Sequence, residues 1–289
     1  MHKSPTPYYN RYLFFIFKFN FTQITVLYIV HMKTLTIVTV VYNDLNAFKV
    51  THKSICNQSF LDIEWVVVDG GSTDGTLDYI KAHQLDITTW ISEPDNGIFD
   101  AMNKGISLAS GQWINFMNAG DTYRNESTLH SIFSQDNLKH YDFIYSDMFL
   151  IDKHNQPVRP IKAEKLTKYT ITKGMIACHQ GMFVRLKHCP LYNPDYIYQG
   201  DLHWTMDILN AISLDRILYF PYETVVYKSD GFSNQQLFKQ LSAHLSLIIT
   251  RYGYFRLIYT SPRLCRRYLG KWLRRLLNIE TFRFWIKTE

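Results

Sequence analysis

The chain has 289 residues, 46% of them hydrophobic, so it can bury a substantial core and is not an intrinsically disordered protein. Its net charge of +6 is unevenly spread: from Arg251 onward ten basic residues face only Glu280 and Glu289, which leaves the preceding body slightly acidic. Cysteines at 56, 178, 189 and 265 form no CxxC pair and no metal-ligand spacing, which fits a reduced, cytosolic protein.

Residues 12–30, YLFFIFKFNFTQITVLYIV, approach the length of a membrane span but are interrupted by Lys18, Asn20, Thr22, Gln23 and Thr25. Three readings apply to residues 1–31. Translation starts at Met32 and the segment is an upstream extension; or it is a signal anchor or membrane-contacting segment; or it is a signal peptide. No small-residue cleavage site follows the apolar run, which disfavours the third.

The run TLTIVTVVY, from Thr34, has the continuous apolar, β-branched character of a strand buried on both faces. A helix is expected over Asn46 to Asn57, with Phe48, Ile55 and Cys56 inward. IEWVVVD (63–69) is a second buried strand. After the turn GGSTDGT, a helix carries Leu77 and Ile80, with Thr73 or Asp74 as its N-cap. ITTWIS (87–92) is a third strand. Ile98, Met102 and Ile106 mark a helix expected to stop at Gly111, and QWINFMN (112–118) is a fourth strand. This alternation predicts a parallel sheet with right-handed crossovers.

After Tyr123 the rhythm changes. Residues 141–152 and 156–163 form an expected antiparallel hairpin around HNQ, with further strands at 174–186 and 217–227 and a helix over Asp201 to Ile212. Residues 32–230 therefore form one domain, followed by a basic amphipathic helical tail, 231–289. In that tail Leu237, Leu241, Leu245 and Ile248 or Ile249 recur at helical spacing, and Tyr268, Trp272, Leu276 and Leu277 alternate with basic residues. Such a tail suits peripheral contact with an anionic membrane, or packing on the domain with a solvated basic face. No reading motif for nucleic acid accompanies the charge.

Polar residues collect where the predicted strands end: Thr39, Tyr42 and Asn43; Asp69; Glu93, Asp95 and Asn96; Asn118 and Asp121. Ligands of open α/β sheets bind beyond those carboxyl ends. Neither a dinucleotide glycine fingerprint nor a P-loop is present. Carboxylates and amides repel a phosphate unless a divalent cation lies between them, so this edge points to Mg²⁺ or Mn²⁺ carrying a nucleotide diphosphate.

VTVVYND (38–44), VVVDGGSTDGT (66–76), SEPDNGIFDAMNKGI (92–106), FMNAGD (116–121) and QGDLHW (199–204) together resemble the family 2 glycosyltransferases of the GT-A fold, over roughly residues 35–230. The subfamily is similar to those that assemble bacterial capsule, O-antigen or exopolysaccharide. The resemblance implies an α/β fold: a mostly parallel nucleotide-binding sheet flanked by helices, a small antiparallel acceptor-side sheet and C-terminal helices. It implies inverting transfer from a nucleotide diphospho-sugar, UDP-linked, to a saccharide or lipid-linked saccharide at the cytoplasmic face of the cell membrane.

By the same resemblance Thr39 and Tyr42 line the nucleobase pocket and Asp69 bonds the base. Asp95, Asn103 and Lys104 border the ribose and diphosphate, and Asp121 with Asn118 holds the metal. Asp201 is the general base, competing with a bland role as helix N-cap. His179, Gln180 and Trp204 lie toward the acceptor and leaving group, Trp204 either stacking on a sugar or filling the core. The family's DxDD cluster is here Asn118-Ala119-Gly120-Asp121, which leaves one carboxylate and predicts weaker metal binding. A non-catalytic nucleotide-sugar-binding module and a membrane-associated scaffold are the alternatives.

Overall fold

The computed structural model describes residues 2–3, 32–152, 154–228 and 237–276. The apolar stretch 12–30 and residues 277–289 of the tail lie outside the described residues. Among the described residues no helix is long and apolar enough to cross a membrane.

In chain order the elements are β1 (His2–Lys3), β2 (Leu35–Val41), α1 (Leu45–Cys56), β3 (Ile63–Asp69), α2 (Thr76–Ala82), β4 (Thr89–Ser92), α3 (Ile98–Leu108), β5 (Trp113–Phe116), β6 (Thr122–Tyr123) and α4 (Thr128–Phe133). There follow β7 (Phe143–Ile151), β8 (Pro157–Ile161), β9 (Met182–Arg185), α5 (Gly200–Ala211), β10 (Ile217–Lys228), α6 (Leu237–Tyr252) and α7 (Phe255–Leu276). The strands share one sheet in the order β1-β4-β3-β2-β5-β9-β7-β10-β6, with β8 paired to β7.

Strands β4, β3, β2 and β5 are mutually parallel, as their buried apolar runs predict. Beyond β5 the sheet turns antiparallel through β9 and β7. The expected hairpin is present, with Met148 opposite Ile161 and Leu150 opposite Arg159. The strand expected over 174–186 is confined to β9, preceded by a short 3-10 turn at His179–Gly181. That turn carries His179 and Gln180 toward the end of β5.

Apolar side chains fill both faces of the sheet. On one face, Val38, Val66, Met102 and Ile114 pack with Leu202, Trp204 and Ile208 of α5 and with Leu247 and Ile248 of α6. On the other, Ile37, Trp65, Val67, Phe48, Ile55 and Ile80 form a second cluster. Helix α3 lies close on β2 because residue 105 is glycine: a Cβ there would sit 2.3 Å from Val38 Cγ1.

Three local expectations are corrected. Helix α3 ends at Leu108, where Ala109 turns extended, and not at Gly111. Gly111 instead permits close approach to β2, since a Cβ would meet Thr36 Oγ1 at 2.7 Å and the Thr36 backbone nitrogen at 2.8 Å. Helix α2 is capped by Gly75 at φ +97° with no side-chain bond, although Asp74 accepts from the Thr76 N–H two residues on. Cys56, expected inward, is exposed at the end of α1.

Candidate active site

The carboxyl ends of β2, β3 and β4 converge as predicted, but the side chains divide into those that face the cleft and those that build it. Tyr42, just past β2, is 65% exposed. Its ring and the Asp95 carboxylate both close on Gly70, where a Cβ would fall 2.5 Å from Asp95 Oδ2 and 3.1 Å from the tyrosine. An open aromatic face beside a glycine backbone and a carboxylate offers stacking area for a base and an acceptor for hydroxyl groups.

Thr39 does not line that surface. Strand alternation turns it to the other face of the sheet, where it is fully buried and accepts the Trp65 indole N–H at 3.0 Å. Asp69 is also fully buried. Its carboxylate accepts from Ser72 N at 3.1 Å and from Ser92 Oγ at 2.6 Å, so it shapes the Gly70–Gly75 loop from beneath. That loop is tied to the β2 end, because Asn43 Oδ1 accepts from Thr73 N at 2.7 Å and Asp74 Oδ2 accepts from Leu45 N at 2.9 Å.

Asn103 and Lys104, expected beside the ribose and diphosphate, have partners within the protein. Asn103 spends its amide on the backbone of Tyr192, donating to the carbonyl at 2.8 Å and accepting from the N–H at 2.7 Å. Lys104 donates to Pro94 O at 2.9 Å and pairs with Glu93 at 3.1 Å. Asn103 thereby fixes the Tyr192 loop, and Lys104 fixes the turn before Asp95.

The Asn118–Asp121 turn is held from inside by Thr51 of α1. Its hydroxyl accepts from Gly120 N at 2.9 Å and lies 2.8 Å from the Asp121 carbonyl and 3.0 Å from that of Asn118. Gly120 takes φ +96°, a conformation that favours glycine. Asp121 Oδ2 accepts from Asn118 N at 3.1 Å and from Gln180 Nε2 at 2.9 Å. Loss of hydration pushes the Asp121 carboxyl up to about 7, the two hydrogen bonds oppose that, and the nearby charge of Asp201 adds to it.

Asp201 stands in the first turn of α5. It is not the N-cap: Gln199 holds that position, with no side-chain capping bond. The Asp201 carboxylate is 41% exposed overall, yet its Oδ1 is buried and meets no hydrogen-bond donor of the protein. Asn118 Oδ1 is buried and unpaired in the same way. Gly200 lets α5 approach α3, since a Cβ would lie 2.3 Å from the Phe99 ring.

His179 lies behind Asp201, with Nε2 at 3.9 Å from the carboxylate and hydrogen-bonded to the Tyr192 hydroxyl. Its ring is buried against Phe116 and Trp204. Burial lowers its pKa below the ordinary value, so the imidazole is neutral at pH 7. Trp204 is a core residue: it is 1% exposed, stacks on Tyr192 and donates to Pro190 O at 2.9 Å. It offers no surface to a sugar. Tyr192, which ties His179, Trp204 and Asn103 together, carried no sequence signal, because its partners lie 13 and 89 residues away.

The oxygen donors suit a hard divalent cation. Asn118 Oδ1 is buried without a donor, and the Asp121 carboxylate of the same turn has lost much of its hydration. Cation ligation compensates such atoms, and an all-oxygen set matches Mg²⁺ or Mn²⁺. Replacing Thr39 tests the division between cleft and scaffold. Thr39→Val is expected to cost about 1–3 kcal/mol in chemical denaturation, by stranding the Trp65 N–H. Calorimetry with UDP as the probe should give the same result for the substituted and unsubstituted protein; a large difference would return Thr39 to the pocket.

Residues 36–199 match the model of the Glycosyl transferase family 2. An uncharacterized glycosyltransferase of Mycobacterium tuberculosis strain H37Rv is 38% identical over 91 residues, 31% of this chain and 35% of that protein. A PGL/p-HBAD biosynthesis glycosyltransferase of Mycobacterium bovis strain BCG is 32% identical over 137 residues, 46% of this chain and 51% of that one. The matches thus span between a third and about half of these relatives' lengths. Among solved structures, S. aureus TarS 1-349 in complex with UDP-GlcNAc aligns with a TM-score of 0.62 at 15% identity, over 86% of this chain and 76% of that chain. Mannosyltransferase PcManGT from Pyrobaculum calidifontis, in complex with GDP-Man and Mn²⁺, aligns at 0.55 and 15% identity, over 87% and 77%. The solved structures share the GT-A fold described above, and the match over more than half of the sequence places this chain in glycosyl transferase family 2.

Proposed function

We propose that the protein is an inverting glycosyltransferase, and that Asp201 is its general base. The observation that carries this reading is the unpaired, buried Asp201 Oδ1, near enough to the Asn118–Asp121 turn for its charge to act on Asp121. A carboxylate oxygen with no protein donor is a proton acceptor held ready for a substrate hydroxyl. As the acceptor O–H passes its proton to Asp201, the oxygen bonds to the anomeric carbon and the bond from that carbon to the diphosphate breaks on the opposite side. The electron pair leaves on the diphosphate, and the anomeric configuration inverts.

The chain's other groups position this step. Neutral His179, fixed by Tyr192, borders Asp201 without competing for its charge. Gln180 orients Asp121. Asp121 and Asn118 Oδ1 would hold a Mg²⁺ or Mn²⁺ ion, whose positive charge stabilises the departing diphosphate. Tyr42 and Asp95 would receive the nucleoside. UDP-linked donors are favoured by the family resemblance of the Tyr42 and Asp69 motifs. The acceptor is a saccharide or lipid-linked saccharide in capsule, O-antigen or exopolysaccharide synthesis on the cytoplasmic side of the membrane.

Membrane contact through the tail is supported by α7. Thr260, Leu264 and Tyr268 are buried on one face, while Phe255, Ile258, Tyr259 and Leu269 are exposed on another. An exposed apolar stripe on a basic helix fits an anionic bilayer surface.

Three measurements test the reading. Asp201→Asn should lower sugar transfer by about 10²–10⁴ with UDP affinity intact, and transfer preserved within a few-fold would remove Asp201 as base. Mn²⁺ affinity should be flat above pH 7 and fall by up to about tenfold per pH unit below it, because a carboxyl with a raised pKa must lose its proton before it can ligate. A profile independent of pH between 5.5 and 8 would separate the metal from Asp121. Replacing Phe255, Ile258 and Tyr259 together by serine should weaken flotation with anionic vesicles by at least about tenfold, given the apolar area involved; unchanged flotation would discard the membrane role of α7.

A further inference from the structure

Helices α1 and α2 both begin at the loops that follow β2 and β3, and a group of side chains able to ligate a metal gathers toward the carboxyl end of α1. His52 and Cys56 share one face of α1 at a spacing of four residues, and Asp86 follows α2. A ligand atom from each of the three lies within 4.8 Å of the others. His52 Nε2 is 3.1 Å from Asp86 Oδ2.

The surroundings prepare this imidazole as a ligand. His52 is 7% exposed and wedged between Trp65, at a ring separation of 5.2 Å, and Tyr79, at 5.6 Å. Its Nδ1 is 2.8 Å from the Tyr79 hydroxyl, which leaves Nε2 to Asp86. Fixing one ring nitrogen by a hydrogen bond so that the other points at the metal is the usual outer-shell arrangement of histidine sites. His83 stands edge-on to His52 at 5.0 Å, with Nδ1 bonded to the Tyr79 carbonyl at 2.9 Å.

We propose that His52, Cys56 and Asp86 form a binding site for a borderline-soft divalent transition metal, with Zn²⁺ the best match to one nitrogen, one sulfur and one carboxylate oxygen. Tetrahedral bonds of about 2.0–2.3 Å place ligand atoms about 3.3–3.8 Å apart, so closure from 4.8 Å needs only rotation of the Cys56 and Asp86 side chains. Both are exposed at the surface, and Asp86 would exchange its contact with His52 Nε2 for the ion. The fourth position falls to His83 or water. On binding, the thiol proton of Cys56 passes to solvent and the sulfur ligates as thiolate. The ion would clamp the end of α1 to the segment after α2, and so hold together the two helices whose first residues shape the Tyr42–Gly70 surface. The site contains none of the groups assigned to sugar transfer, so it stands whether or not that assignment does.

The test uses the full chain, kept reduced and stripped of metal, titrated with Co²⁺ as the spectroscopic probe. A thiolate-to-cobalt charge-transfer band should grow to one equivalent and be displaced by Zn²⁺. It should persist in Asp121→Asn, which removes the oxygen site, and vanish in Cys56→Ser. Asp86→Asn should retain the band with an affinity at least about tenfold weaker. Absence of the band in the unsubstituted protein, its survival in Cys56→Ser, or an unchanged affinity in Asp86→Asn would each overturn the site. Cys56 is exposed, so serine is accommodated there without repacking the core.

Discussion

A poorly hydrated carboxylate, Asp121, within reach of the charge of a second, Asp201, is the constraint around which this site is organised. Bringing Asp121 within reach of the Asp201 charge while stripping it of water is unfavourable, and the Asp121 carboxyl responds by rising to about 7. The protein offsets this cost with fixed donors. Gln180 and the Asn118 backbone donate to Asp121. Neither of these donors carries a full positive charge. Under the proposed reading, a cation ligated by Asp121 and Asn118 would supply that charge.

Such a site needs rigid walls, and aromatic packing provides them. Phe116, at the end of β5, touches His179, Tyr192 and Trp204. Tyr192 stacks on Trp204 and on Phe99, and Asn103 of α3 locks its backbone. Gly200 seats α5 directly on Phe99. Asp201 is therefore positioned by α3, by the Tyr192 loop and by β5 at once, although it lies eighty residues from Asp121 in sequence.

The sheet and the locations of the strand ends were legible because they depend on short-range patterns. Buried runs such as IEWVVVD match β3 residue for residue, and glycines mark the turns. The division of labour at the site was not legible. Thr39 and Tyr42 share one motif but differ in strand parity, so one is buried against Trp65 while the other is open to the cleft. Asn103 and Lys104 look like ligand-binding polar residues until their partners are known, and the partner of Asn103 comes from 89 residues downstream. Trp204 could stack or fill, and only the indole bond to Pro190 decides. His52 and Cys56 show the reverse case: a search for CxxC spacing passes over a pair set four apart on a helix, and Asp86 joins them only through the packing of α1 on α2.

The charge asymmetry of the sequence also changes meaning once the tail is placed. Arg251 pairs with Asp207 at 2.7 Å, Arg263 with Glu164, and the Arg256 guanidinium lies 3.9 Å from the Tyr169 ring centre. Part of the basic excess is therefore spent on the slightly acidic body and not on an outside partner. Half-exposed pairs of this kind contribute at most about 1 kcal/mol each. Leu247 and Ile248, fully buried in the core against the sheet, contribute about 1.5–3 kcal/mol each. Apolar burial thus attaches α6, and the ion pairs select the rotation at which it and α7 dock. That rotation sets which face of α7 is left outside, and the face it leaves is the one bearing Phe255, Ile258 and Tyr259.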